Sequence, residues 1–273
     1  MTFSVLAHDP GTGDLGIAVS SCILAVGHAV PSYRPGVGVV AVQARSPRGL
    51  GHTLLAGLAE GTAPETLVRR AAHAAEDAER QIAVLGIGGA VAADTGPGSF
   101  PASGHVVGPG FSVQGNMLAS AEVLPAMAEA FAAGGGDLPD RLVAALTAGQ
   151  DAGGDLRGRQ SAALVVVRGT APTDEDDGVL VDLRVDDSGD PVAQLRMLRN
   201  LQRAYDERDY ETLALFAPVG ARDLYAALAA SRRGDRAAAR AALEAMRSRP
   251  GWSAWLAAMG GDSRLSAVTE LLG

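Results

Sequence analysis

The chain has 273 residues, of which 47% are hydrophobic and 20% charged, so intrinsic disorder is excluded as its overall state. The net charge is −8 and aromatic residues make up 4%, which argues against the basic surface and the stacking platforms of nucleic-acid binding. All 23 basic residues are arginine, which excludes lysine Schiff-base catalysis and the phosphate-binding P-loop.

The start of the chain is predicted to form a β-hairpin. Residues 2–8 and 15–22 have the pattern of two strands, and the turn-forming segment at residues 9–14 joins them. The glycines at positions 11, 13 and 16 also match the G-x-G-x-x-G pattern of dinucleotide-binding loops, which requires a helix directly after the third glycine. Because extended residues follow position 16, the glycines are better explained as turning a hairpin.

Pairs of strands and pairs of helices alternate in the rest of the first 190 residues. Apolar stripes and capping signals predict helices at residues 50–58, 62–79, 117–133 and 137–149, and further strands at 37–43, 81–94, 111–114, 160–168 and 179–186. Strand pairs separated by helix pairs favour two antiparallel sheets that pack face to face with helices outside. We therefore predict an α+β fold, a four-layer αββα sandwich, over residues 1–190.

The sequence becomes helical after residue 190. Asp190-Pro191 is typical of a helix start, and further helical patterns follow at residues 221–231, 235–248 and 263–272. Residues 1–195 carry 11 Arg and 22 acidic residues, a net charge of −11, whereas residues 196–273 carry 12 Arg and 9 acidic residues, a net charge of +3. We predict a helical C-terminal extension over residues 191–273.

Several sequence features bear on location and cofactors. The uncharged run at residues 15–33 is broken by polar residues, glycine and proline and follows no basic residue, so it resembles neither a secretory signal nor a membrane span. We expect a cytoplasmic protein that binds neither nucleic acid nor membrane, and a homo-oligomer is compatible with the sequence. Its five histidines match no metal-binding spacing, and the single cysteine, Cys22, excludes a cysteine-based zinc site. We therefore expect no metal and no other cofactor.

Thr2 is the first candidate for chemistry. Removal of Met1, which is usual before so small a residue, places a hydroxyl and a free α-amine on one residue at the start of a core strand. An α-amine has an ordinary pKa of about 7.7–8.0, so it can act as general base for the hydroxyl of the same residue. The alternative interpretation is an ordinary terminal residue that frays.

Two later segments carry further candidates. Asn116 precedes a predicted helix, so its carboxamide either stabilises an oxyanion or caps that helix. Arg157 and Arg159 lie in a glycine-rich segment and suit the binding of a substrate carboxylate, because guanidinium groups bind carboxylates with two parallel hydrogen bonds. The alternative is a structural loop in which Asp155 pairs with an arginine.

Separated segments of the chain resemble the DUF1028 family. They are TFSV at residues 2–5, GDLGIAVSS at 13–21, QGNML at 114–118, AGGD at 152–155, GRQSAAL at 158–164 and DLRVDD at 182–187. That family is similar to the N-terminal nucleophile (Ntn) hydrolases, whose layers are also αββα, and the resemblance implies amide hydrolysis. By position, it implies that Ser20 and Ser21 at the end of the second strand and Gln43 at the end of the third lie beside Thr2.

The main hypothesis is an Ntn-type amidohydrolase that cleaves an amide or ureido C–N bond in a small carboxylate-bearing molecule. Thr2 is the nucleophile, and Asn116 with backbone N–H groups stabilises the oxyanion. Asp155 is a further catalytic candidate, and the substrate-binding candidates are Ser20, Ser21, Gln43, Arg157, Arg159, Gln160 and Ser161. Where a proteasome-type enzyme has a lysine, the third strand ends instead in Gln43 and Arg45. The alternative is a non-catalytic protein of the same fold that docks a partner through its helical extension.

Overall fold

The computed structural model describes residues 2–45, 47, 49–73, 78–100 and 102–258. The chain divides into two compact units, Met1–Met197 and Leu198–Gly273. The sequence predicts a change at residue 190, whereas this division lies within a helix, Pro191–Asp206. Each unit has a hydrophobic core of its own.

The described residues of the first unit contain two antiparallel sheets. Their strands are β1 (Thr2–His8), β2 (Leu15–Ser21), β3 (Pro31–Arg34), β4 (Gly38–Gln43), β5 (Gln81–Gly86), β6 (Val91–Thr95), β7 (Gly104–Gly108), β8 (Phe111–Asn116), β9 (Ser161–Val167) and β10 (Val179–Val185). One sheet has six strands in the order β10-β9-β2-β1-β8-β7, and the other has four in the order β3-β4-β5-β6. β1 therefore lies inside the larger sheet, paired with β2 on one side and β8 on the other.

Most of the helices of the first unit cover the outer faces of the sheets. The helices of the described chain are α1 (Val26–Ala29), α2 (Leu50–Ala59), α3 (Pro64–His73), α4 (Val123–Ala133), α5 (Leu138–Asp151), α6 (Pro191–Asp206), α7 (Tyr210–Phe216), α8 (Val219–Arg232), α9 (Arg236–Arg247) and α10 (Trp252–Ala258). α2 and α3 pack on the smaller sheet, and α4 and α5 pack on the larger one.

Alternation of side chains along the strands produces the layers. In β4, Val39 and Ala41 belong to the core between the sheets, whereas Val40 and Val42 pack with residues of α2 and α3. On the larger sheet, Gly16 of β2 lies so close to α5 that a Cβ there would be 2.4 Å from Leu142 Cδ1. The layers thus run helix, sheet, sheet, helix, and the predicted four-layer sandwich of two antiparallel sheets is confirmed.

The described part of the second unit is helical. Its core contains Leu224 and Leu228 of α8, Leu243 and Met246 of α9, and Leu256 of α10. The predicted helices at residues 221–231 and 235–248 are confirmed as α8 and α9, and the one at residues 263–272 lies outside the described residues. Among the described residues, no helix combines the length and the apolar character needed to cross a membrane.

Three predicted elements have different bounds. The helix predicted from residue 117 begins only at Val123, because Met117 has a positive φ of 50° and Leu118 N donates to Ala102 O at 2.9 Å instead of to a helical carbonyl. The segment predicted as extended over residues 81–94 is a hairpin, β5 and β6, that turns through Ile87–Gly89. α3 is described over Pro64–His73, residues 74–77 of the predicted helix lie outside the described chain, and residues 78–79 form a turn instead of its last residues.

Candidate active site

The layer between the two sheets is apolar over most of its extent and polar at one end. The polar side chains come from β1, β2, β4, β5 and β8, at positions where alternation directs them towards the opposite sheet. They are Thr2, Ser4, Ser21, Gln43, Gln81, Ser112, Gln114 and Asn116, each at most 4% exposed. Burial of polar groups is unfavourable unless they are hydrogen-bonded. Each of these side chains forms at least one hydrogen bond with another member of the group.

Thr2 is held between its neighbouring strands. Its Oγ1 lies 3.1 Å from Oγ of Ser21, and its carbonyl oxygen lies 3.5 Å from Nε2 of Gln43, at the outer limit for a hydrogen bond. On its other side, Thr2 is the register partner of Asn116 in the antiparallel pair of β1 and β8. Thr2 is thus a buried residue of a paired strand in this structure and is not frayed.

Gln81 connects the residues around Thr2. Its Nε2 lies 2.9 Å from each of the carbonyl oxygens of Gly104 and Gly115, which can only accept hydrogen bonds. These carbonyls fix the orientation of the carboxamide, so Oε1 of Gln81 is directed to the other side. There it accepts hydrogen bonds from Gln43 Nε2 at 2.5 Å and from Asn116 Nδ2 at 3.0 Å. One fully buried carboxamide therefore orients two of the predicted site residues.

A second group of polar residues fixes the other end of Gln43. Ser4 Oγ donates to Gln43 Oε1 at 2.9 Å and accepts from Gln114 Nε2 at 2.5 Å, and Ser112 Oγ donates to Gln114 Oε1 at 3.0 Å. Sequence reasoning missed Ser4, Gln81, Ser112 and Gln114. The signal that could have identified Ser4, Ser112 and Gln114 is a polar residue at every second position of a buried strand, as in positions 112, 114 and 116 of β8. Gln81 carries no such signal, since Ala83 and Leu85 follow it on the same face of β5.

Asp155 contacts the backbone N–H of Cys22, the residue next to Ser21. The residue is 5% exposed, and its Oδ2 accepts a hydrogen bond from Cys22 N at 2.9 Å and forms an ion pair with Arg157 Nη2 at 3.2 Å. Its Oδ1 accepts from Arg157 N at 2.8 Å. Both carboxylate oxygens are therefore engaged, and the bond to Cys22 holds the residue that directly follows Ser21. Asp155 thus helps to position the end of β2, and its ion pair engages the guanidinium of Arg157.

Two other predicted residues, Ser20 and Ser161, contact each other rather than Thr2. Ser20 is paired in register with Phe3, so alternation directs it to the opposite face of the sheet from Ser21. Its Oγ donates to the carbonyl oxygen of Ser161 at 3.3 Å. Ser161 Oγ in turn donates to Ile23 O at 2.6 Å and accepts from Val26 N at 3.0 Å. Ser161 thus holds the chain that leaves β2, and Ser20 contacts the start of β9.

Arg159 and Gln160 contact the segment that leads into α6. Arg159 Nη1 lies 3.5 Å from Oδ1 of Asp190, and Gln160 Nε2 donates to Oδ1 of Asp187 at 3.1 Å. The predicted site residues therefore fall into two groups. Thr2, Ser21, Gln43 and Asn116 come together at the polar end of the sandwich, and Asp155 contacts the backbone next to Ser21. The second group, which makes other contacts, is Ser20, Arg157, Arg159, Gln160 and Ser161.

A cavity of about 180 Å³ adjoins this polar end. It is lined by Ala44, Arg45, Glu79, Ser99, Phe100, Asn116 and Met117. Asn116, the strand partner of Thr2, connects the cavity with the buried network. Ala44 and Met117 directly follow Gln43 and Asn116, and both have left-handed backbone, with φ of 63° and 50°. Such a conformation is uncommon for residues other than glycine, and it occurs preferentially at functional sites.

The site offers hydroxyl and carboxamide groups rather than a metal centre. Within the part of the chain that the structure describes, three or more His, Cys, Asp or Glu side chains nowhere cluster so that they could hold a metal ion. Asn116 is the last residue of β8 and not the N-cap of a helix, since α4 begins at Val123. Its carboxamide therefore has no capping role, and Asn116 is one of the residues that line the cavity.

Comparisons with known proteins agree with this fold. Residues 2–195 match the model of a family described as a family of unknown function, DUF1028. Among solved structures, the chain is similar to the crystal structure of protein SPO2555 from Silicibacter pomeroyi, a DUF1028 protein, with 34% sequence identity and a TM-score of 0.65. The similarity covers 74% of this chain and 88% of that one, and no curated protein matches. Because the family match spans most of the sequence and includes the whole polar network, this chain belongs to the DUF1028 family.

Proposed function

We propose that the protein is an Ntn-type amidohydrolase that cleaves an amide or ureido C–N bond in a small molecule, with Thr2 as nucleophile. The observation that carries the proposal is the position of the Thr2 hydroxyl. It lies at the start of an interior strand, at the polar end of the layer between two sheets, and its strand partner Asn116 lines a cavity. Nucleophilic catalysis by a hydroxyl needs a base beside it, which the α-amine of a terminal threonine supplies. The cavity that its strand partner lines offers space for a small substrate.

The reaction uses the α-amine that removal of the preceding residue gives to Thr2. This amine accepts the proton of Oγ1 as the oxygen attacks the carbonyl carbon of the substrate. The tetrahedral intermediate collapses, the C–N bond breaks, and the same proton passes to the leaving amine. Water then hydrolyses the resulting ester, which restores the hydroxyl and releases the acid. Since the chain contains no lysine, the α-amine takes the place of a lysine base.

Asn116 supports the proposal as an oxyanion donor. One of its N–H groups is donated to Gln81, and this bond fixes the plane of the carboxamide. In this proposal the second N–H of the same nitrogen binds the oxyanion, since Asn116 is one of the residues that line the cavity. A preorganised donor of this kind lowers the barrier because it needs no reorientation when charge develops, and its loss reduces kcat by about 10²–10³.

Ser21 and Asp155 act as positioning residues. Ser21 Oγ is hydrogen-bonded to Oγ1 of Thr2, which limits rotation of the nucleophile about its χ1 angle. Asp155 holds the backbone N–H of Cys22 and so fixes the end of β2 behind Ser21. We expect substitution of either residue to slow acylation of Thr2 less than removal of the hydroxyl of Thr2 itself.

The test is a screen of small amides and ureido compounds for hydrolysis, together with the intact mass of the purified protein. We expect a protein that begins at Thr2 and an activity that Thr2→Ala abolishes and Thr2→Ser retains in part. Thr12→Ala is a matched control, because it removes a threonine hydroxyl from the turn that follows β1, at the opposite end of that strand. An activity that survives Thr2→Ala overturns the proposal, as does a purified protein that keeps the residue before Thr2. Either result favours the non-catalytic alternative or another nucleophile.

A further inference from the structure

The arginines predicted to bind a substrate carboxylate are engaged elsewhere. Arg157 is paired with the buried carboxylate of Asp155 through its guanidinium and its backbone N–H. Arg159 lies 3.5 Å from Asp190, next to α6. Neither residue lines the cavity beside Asn116. If the substrate carries a carboxylate, the group that binds it has to be sought among the residues that do line this cavity.

Arg45 is the cation in the described lining of the cavity. It follows Gln43 by two residues, and the left-handed backbone of Ala44 turns the chain between them. Because Gln43 contacts both Thr2 and Gln81, this turn places Arg45 at the rim of a cavity whose inner wall is Asn116. Arg45 is therefore linked to Thr2 through the backbone from Gln43 to Arg45 and the contact of Gln43 Nε2 with the carbonyl oxygen of Thr2.

The guanidinium of Arg45 is weakly held. It is paired with Glu79, another lining residue, through Nε at a distance of 3.5 Å. The side chain of Arg45 is 71% exposed and that of Glu79 is 35% exposed, so water screens the pair. Exposed ion pairs of this geometry contribute little to stability. A ligand carboxylate that forms two parallel hydrogen bonds can replace Glu79 without loss of a strong contact.

We propose that Arg45 binds the carboxylate of the substrate in place of Glu79, while the scissile carbonyl lies between Thr2 and Asn116. Phe100 and Met117, on the cavity wall, contact the carbon chain between the two groups. The cavity of about 180 Å³ is smaller than the roughly 300–1,000 Å³ of sites for drug-sized ligands. The substrate class is therefore a short N-acyl or N-carbamoyl compound with a free carboxylate. This inference rests on the proposed function of Thr2.

The experiment compares two small β-lactones, one with a carboxylate and the other its methyl ester, as probes that acylate Thr2. Intact mass gives the acylation rate of each, and the ratio of the two rates measures carboxylate recognition. We expect a ratio of about tenfold or more in the wild type, since hydrogen bonds to a charged group are among the stronger ones. Arg45→Gln brings the ratio close to one, Arg45→Lys retains part of it, and Glu79→Gln raises the rate with the carboxylate probe.

The matched control is Arg168→Gln. Arg168 is also an exposed arginine paired with an acidic residue, Asp176, but it follows the end of β9 that pairs with Leu15, far along the strand from Ser21. Its substitution leaves the ratio unchanged. A wild-type ratio near one, or a preference that persists in Arg45→Gln, overturns the inference and leaves Thr2 as nucleophile. If neither probe acylates Thr2 in the wild type, the proposed function itself fails and the inference falls with it.

Discussion

Replacing Gln81 with leucine tests the hydrogen-bond network that surrounds Thr2. Gln81 is fully buried, and its carboxamide accepts from Gln43 and Asn116 while it donates to two backbone carbonyls. Leucine is similar in size and offers none of these bonds. A buried polar group that loses its partner costs about 1–3 kcal/mol, so the two carboxamide donors alone correspond to about 2–6 kcal/mol. This is a large part of the roughly 5–15 kcal/mol by which domains are stable.

The assay is peptide-resolved hydrogen exchange over a series of urea concentrations. Peptides from β1, β5 and β8 report the sandwich alone, which matters because the chain has two units and its global unfolding need not be two-state. Ser112→Ala is the control, since it removes one buried hydrogen bond and should cost about 0.5–1.5 kcal/mol. If Gln81→Leu destabilises the sandwich no more than Ser112→Ala does, the network is not what holds Asn116 and Gln43 in place.

Three further predictions concern packing and pH. Gly38→Ala should destabilise the sandwich by about 1–3 kcal/mol in urea unfolding, because its Cβ would lie 2.5 Å from the carbonyl oxygen of Leu85; a neutral result refutes this. Hydrogen bonds from Thr212 hold the pKa of Asp209 below its ordinary 3.8, so the second unit should lose stability as the pH falls below that value. Unfolding of this unit, followed by the fluorescence of its two tryptophans, should depend less on acid in Asp209→Asn than in the wild type, and equal dependence in the two proteins contradicts the prediction. Burial raises the pKa of Tyr225 from 10.0 to about 12, so the second unit should lose stability as the pH rises through that interval. Tyr225→Phe should lose less stability over the same interval, and equal losses in the two proteins contradict the prediction.

Much of the layered fold could be predicted because the elements that form it have clear periodicity. The strands β2 and β9 are mostly apolar runs, β1 alternates polar and apolar residues, and α5 combines an Asp137 cap with an apolar stripe. The elements that were missed are short and carry little such signal. β3 has four residues and β7 has five, and neither contains a buried residue. Their positions are set by pairing with β4 and β8, which a local pattern does not contain.

The site could be predicted in part for a related reason. Thr2, Ser21, Gln43 and Asn116 lie at strand ends, so a correct strand assignment brings them to one edge. Whether an arginine faces a cavity or a carboxylate depends on loop conformation, as the pairing of Arg157 with Asp155 shows. The left-handed residues Ala44 and Met117, and the crossing contacts of Gln81, likewise depend on tertiary structure and leave no local pattern.

The most direct measurement locates the acyl group after the protein reacts with the neutral β-lactone. Tandem mass spectrometry of the N-terminal peptides separates Thr2 from the nearby Ser21 and Cys22. We expect a chain that begins at Thr2, with the acyl group on the hydroxyl of that residue, and no adduct in Thr2→Ala. An adduct on Ser21 or Cys22, or one that forms while another residue still precedes Thr2, contradicts the assignment of Thr2 as nucleophile and its α-amine as base.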